Sequence, residues 1–163
     1  MSKETLTKIR HTIELLRTQH GNIHGSKEQQ WIQEHLNDGD QNLKEIVLSL
    51  SIVAFHMLSA LEVNEMTGIE LAEKINVTRG GVTRAAKKLL QYNLISAAKH
   101  EDDKKKIYYS LTADGKKIAQ VHDQMHGMIQ EKLVNELTSK YSENELQTVA
   151  NFLEDLYQLE KKF

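Results

Sequence analysis

The sequence predicts a mainly α-helical fold with one small β element, and three observations predict it. Apolar residues recur at three- and four-residue steps along most of the chain, the spacing that gathers them on one face of an α-helix. Two segments that begin with capping threonines, Thr67 and Thr78, are separated by a connection of only a few residues, as in a helix-turn-helix. Two β-rich runs then flank a charged segment, the pattern of a short hairpin.

The elements follow in order. Leu6, Ile9, Ile13 and Leu16 predict a helix over residues 3–20, and Gly21 and Gly25 predict a loop after it. Lys27 to Leu36 reads as a short helix contacting the core through Trp31 and Ile32, and residues 37–40, Asn-Asp-Gly-Asp, read as a turn. From Leu43 to Leu61 the chain is apolar on most sides, as a buried central helix should be. Thr67 caps a helix through Ile75, Asn76-Val77 is a tight connection, and Thr78 caps a second helix with Val82, Ala86 and Leu89 on one face. Residues 96–100 and 107–111 read as strands, with the polar run 101–106 as the turn between them. A strand pair placed after a helix-turn-helix is a wing. A long helix over 113–139 should bury Ile118, Val121, Met125, Ile129, Leu133 and Leu137. Ser142 and Glu145 form a capping-box pattern that opens a last helix through Leu159.

Composition narrows the function. The chain has 163 residues and a net charge of −2, with no cysteine and no proline. Disulfides, thiolate metal sites, cysteine nucleophiles and thiol redox sensing are therefore excluded. No apolar run approaches the ~20 residues that span a bilayer, and the amphipathic N-terminal segment lacks the features of a secretory signal, so a cytoplasmic protein is expected. No phosphate-binding glycine loop, nucleophile elbow or His-Glu-x-x-His pattern occurs, so an enzyme is not expected. Between Thr78 and Lys106, eight basic residues stand against three acidic ones, a local charge of +5 on an acidic chain. That is the footprint of a surface that meets phosphate.

The segment GIELAEKINVTRGGVTRAAKKLLQYNLI, followed by DDKKKIYYSLTADGKK, resembles the MarR family of winged helix-turn-helix transcription regulators. The resemblance covers roughly residues 45–126. It implies a homodimer with intertwined N- and C-terminal helices, bound to a near-palindromic operator and usually acting as a repressor. The expected organisation is dimerisation and effector helices over 1–42, the winged DNA-binding domain over 43–112, and C-terminal dimerisation helices over 113–163. On the second helix of the motif, Thr78, Arg79, Gly80, Thr83, Arg84 and Lys87 lie off the buried face and are the expected DNA contacts. Arg84 is long enough to reach a guanine edge. Lys104, Lys105 and Lys106 of the wing are expected to meet the DNA backbone. Many family members carry Asp-x-Arg here, whereas this chain has Asp103, Lys104 and Lys105. Lysine lacks arginine's planar fork, so this wing should add affinity more than specificity.

Among eight histidines, His122 and His126 are four apart on one helix and share a face. Zinc-sensing family members place two histidines at this spacing here and a third on the central helix. The resemblance therefore implies a zinc site of His56, His122 and His126. A fourth ligand is not assigned; Glu34, His35 and Asp38 are candidates. Three other readings stay open: hydrogen-bonded structural histidines, a pocket for a small organic effector, and a winged helix that binds protein instead of DNA.

Overall fold

The computed structural model describes residues 3–22, 24–101 and 103–162. Among the described residues, eight helices and three strands run in the order α1 (Lys3–Asn22), α2 (His24–His35), α3 (Gln41–Val47), α4 (Ile52–Leu61), β1 (Met66–Thr67), α5 (Gly68–Lys74), α6 (Arg79–Gln91), β2 (Ile95–His100), β3 (Asp103–Leu111), α7 (Ala113–Lys140) and α8 (Glu143–Glu160). The chain divides into two compact units, one ending at Met125 and one starting at His126. Helix α7 runs unbroken through the boundary.

The first unit holds the core. Phe55, Met57 and Leu58 of α4 are fully buried together with Leu71 of α5 and Leu89 of α6. Helix α4 packs against α6, and α5 crosses α6 as the first helix of the motif. Thr67 caps α5 in a full capping box with Glu70, and Thr78 caps α6 by accepting from the Gly81 amide. Each satisfies an amide that the first helical turn leaves unpaired. Asn76 closes the turn at φ 52° and Asn93 ends α6 at φ 54°, conformations that asparagine tolerates better than most residues.

The sheet has the order β1-β3-β2, antiparallel throughout. Strand β1 was not expected: two residues are too few for an alternation signal. Gly115, three residues after Thr112, has a structural reason. A Cβ there would collide with the Leu94 carbonyl. Thr112 donates from its hydroxyl to the Asn93 carbonyl at 2.8 Å and accepts from the Gly115 amide at 3.1 Å. The start of α7 is thus clamped to the α6–β2 turn.

Four expectations change. The apolar stretch 43–61 is two helices, because Ser51 turns extended and caps α4 by accepting from the Ala54 amide; a buried Leu50 in the break keeps the stretch apolar where it is not helical. Gly21 lies within α1 and Gly25 within α2, since glycine weakens a helix by only ~1 kcal/mol and does not forbid it. The predicted turn 101–106 is shorter, because β3 starts at Asp103, opposite His100; charged residues suit an exposed ribbon as well as a loop. Finally, Ile118 and Met125 are buried as expected, but Ile129, Leu133 and Leu137 are 53%, 52% and 38% exposed.

In the second unit no described residue of α8 is buried. Val149, Leu153, Tyr157 and Leu159 are all exposed. Among the described residues no helix is long and apolar enough to cross a membrane.

Candidate DNA interface and candidate metal centre

Helix α6 has two faces of opposite character. Val82, Ala85, Ala86 and Leu89 are buried. Thr78, Arg79, Gly80, Thr83, Arg84 and Lys87 are all exposed. Burial of the apolar stripe therefore orients every expected contact residue toward solvent. Gly80 carries no bulk on this face; the nearest atom to a Cβ placed there is Arg84 Nη1 at 4.0 Å. The Thr83 hydroxyl donates to the Arg79 carbonyl at 2.9 Å. Lys88 leaves the face and sits 5.0 Å over the Tyr92 ring.

An open cleft of about 510 Å³ joins this helix to the wing, lined by Arg79, Thr83, Lys105, Lys106 and Glu70 among others. Lys105 and Lys106 are exposed; the side chain of Lys104 lies outside the described ones. Lys106 pairs with Asp103 at 2.9 Å. That contact holds the Asp103 carboxyl below the usual range and raises the Lys106 ammonium. Both are exposed, so the pair orders the strand start more than it stabilises the fold. Sequence reasoning missed this pair, although its three-residue spacing was visible.

The second cluster lies where α4 meets α7. His56 and His122 meet edge-on, with ring centroids 5.4 Å apart, and each brings a ring nitrogen within 4.8 Å of the other. His126 follows one turn later on α7 and brings a ring nitrogen within 4.8 Å of that of His122. His122 is almost fully buried. Its Nδ1 lies 2.8 Å from the Ser59 hydroxyl and 3.1 Å from the Asp123 carboxylate, and Ser59 donates to that same carboxylate. Burial alone would raise the Asp123 carboxyl, but hydrogen bonds from Ser59, His122 and Glu62 outweigh it and hold it low. Glu62 moves the other way, raised first by burial and then by its hydrogen bond to Asp123. Ser59, Glu62 and Asp123 were missed from sequence; Ser59 lies three residues after His56 on α4 and so shares its side.

The donor set fits zinc: clustered imidazoles, one of them backed by a carboxylate. Nitrogens this close can converge by side-chain rotation on one ion, whose bonds to histidine are about 2.0–2.1 Å. The candidate fourth ligands have other partners. Glu34 accepts from Gln30 at 2.9 Å, His35 stacks on Trp31 with its Nδ1 2.8 Å from the Trp31 carbonyl, and Asp38 pairs with Lys44 at 3.2 Å.

Residues 50–107 match the model of the MarR family. Over that segment the chain is similar to the MarR family. Its relatives include the HTH-type transcriptional regulator YvnA of Bacillus subtilis, 29% identical over 63% of this chain and 65% of YvnA. The transcriptional regulator AdcR of Streptococcus pyogenes is 31% identical over 60% of this chain and 66% of AdcR. The match thus spans just under two thirds of these relatives' lengths. ZitR of Lactococcus lactis, described as a zinc-responsive MarR family member, superposes with a TM-score of 0.70 over 94% of this chain and 97% of its own at 22% identity, which speaks for the fold. ZitR in complex with DNA gives 0.60 at 28% identity, over 67% of this chain and 74% of that one. In this winged-helix fold, α5 and α6 are the helix-turn-helix and β2–β3 the wing.

Proposed function

We propose that this chain is a MarR-family transcription regulator that binds double-stranded DNA as a homodimer on a near-palindromic operator, as a repressor, with zinc as its effector. The observation that carries the DNA reading is the exposed polar face of α6, continuous through the basic cleft with Lys105 and Lys106. A helix of this kind enters the major groove, and the wing follows the backbone beside it. Arg84 reads a base edge, Arg79 and Lys87 meet phosphate, and the bare surface at Gly80 lets the backbone approach. The ZitR–DNA complex supports this reading, as do the regulator names of the other relatives. Those names give no support to an enzyme.

The homodimer reading rests on the exposed apolar residues of the second unit, among them Leu133, Leu137, Leu153 and Tyr157. Such a surface suits a second copy better than solvent. In a dimer the two α6 helices would be spaced to meet successive major grooves, ~34–36 Å apart.

His56, His122 and His126 would hold the zinc, whose bound charge supplies a fixed link between α4 and α7. Helix α4 supports α6, so the link biases the placement of the reading helices. The zinc reading draws support from the clustered imidazoles and from the zinc-responsive relative.

The DNA reading is tested by fluorescence anisotropy with duplex DNA from the region upstream of the chain's own gene. Arg84→Ala should lose about 1–3 kcal/mol and relax preference at one base position. Lys105→Ala should weaken all sequences alike and flatten the salt dependence. Wild-type affinity in Arg84→Ala would refute the placement of α6 in the groove.

A further inference from the structure

Building on the zinc reading, we infer that Ser59 and Asp123 are positioning residues for the metal, fixing the His122 proton on Nδ1 and presenting the Nε2 lone pair as the ligand. The hydrogen-bond chain has only one consistent direction. An ionised carboxylate accepts and cannot donate. Ser59 therefore gives its single hydroxyl proton to Asp123. Its Oγ is then left only lone pairs for His122. The ring nitrogen 2.8 Å from that Oγ and 3.1 Å from Asp123 must be the protonated one, and it is Nδ1. A neutral imidazole protonated at Nδ1 keeps its lone pair on Nε2, and zinc takes the unprotonated nitrogen.

The surroundings hold this arrangement in place. The His122 side chain is 3% exposed. Phe55 stacks along the ring at 5.8 Å between centroids, and His56 meets it edge-on. Flipping the ring would carry Nδ1 away from both acceptors and deprive a nearly buried imidazole of their hydrogen bonds, a costly exchange for a group shielded from water. Because Ser59 belongs to α4, as does His56, while Asp123 belongs to α7, the chain also sets the rotation of α7 against α4 at the level of the metal. An outer partner of this kind raises the basicity of the ligand as well as aiming it.

The experiment combines two readouts. Long-range 1H–15N NMR of the zinc-free protein reports the tautomer of His122. Competition with a chromophoric chelator reports zinc affinity. In wild type the His122 proton should reside on Nδ1. In Asp123→Ala the population should move toward Nε2–H, and zinc affinity should fall by about 10–100-fold, the usual loss for such partners. Ser59→Ala should move both readouts the same way by less. Asp123→Asn, whose amide oxygen can still accept from Nδ1, should recover part of the affinity. A purely structural lock would lower the melting temperature of Asp123→Ala while leaving its tautomer and zinc affinity at wild-type values, and that result overturns the proposal. A wild-type ring protonated on Nε2 overturns it too. If Asp123→Ala fails to fold, the wild-type tautomer and Ser59→Ala decide. Failure of the zinc reading itself looks different: wild type and every variant would then fail to bind zinc alike, and the positioning role would fall with it.

Discussion

The two units use the same residue types to opposite ends. In the first, leucine, isoleucine and phenylalanine close over one another; Phe55, Leu58, Leu71 and Leu89 have no exposed surface. In the second, leucines and valines at the same helical spacing face outward; Leu133, Val149, Leu153 and Leu159 are roughly half exposed. Periodicity establishes that a helix has an apolar face, but not what covers that face. The first unit satisfies its own pattern within one chain. The second displays a pattern that a single chain leaves open, and the proposed homodimer would cover it.

The largest effect that sharpens this contrast comes from paired truncations. Phe55→Ala should cost about 3–5 kcal/mol at any protein concentration, because it opens a cavity inside one chain. Leu153→Glu should leave the first unit's hydrogen-exchange protection unchanged yet convert dimer to monomer in sedimentation analysis. Equal, concentration-independent losses in both variants would erase the distinction between the units.

A smaller effect is expected at the junction of α6 and α7. Gly115→Ala forces a methyl group onto the Leu94 carbonyl, and overpacking of this kind costs about 1–3 kcal/mol. Chemical denaturation should show it. An unchanged midpoint would mean that α7 is not clamped there.

The smallest effects concern the helix caps and pH. Backbone and side-chain hydrogen bonds from Thr67 hold the Glu70 carboxyl below its usual range, and those from Ser142 hold Glu145 low. A lowered folded value means that the stabilisation is complete above the unfolded glutamate value, near 4.3. It is lost as pH falls through the folded one. Melting temperature should therefore drop more steeply below pH ~4.3 in wild type than in Glu70→Gln. Parallel curves would show that the box contributes nothing.

Much of the fold was legible because short-range chemistry determines it. Thr67, Thr78 and Ser142 announce their helices by capping, and each caps as its sequence position suggests. Ser51 was harder to read, since no glycine or proline marks a break within the apolar stretch from Leu43 to Leu61. The charged neighbours of Asp103 read as a turn, although an exposed strand such as β3 tolerates charge. At the candidate site, the exposed side of α6 could be read from the buried one. The partners of His122 could not, because Ser59 and Asp123 are 64 residues apart in sequence and become neighbours only when α4 meets α7.

The measurement that bears most directly on the account is the affinity for upstream DNA, titrated with zinc and with a chelator, for wild type and His122→Ala. In wild type the two conditions should give different affinities, since an effector acts only through its unequal affinity for the two states. The difference should fade as pH falls toward ~6, where histidine takes a proton in place of metal. It should be absent in His122→Ala. The same DNA affinity in all four combinations would contradict zinc regulation and leave only the proposed DNA binding.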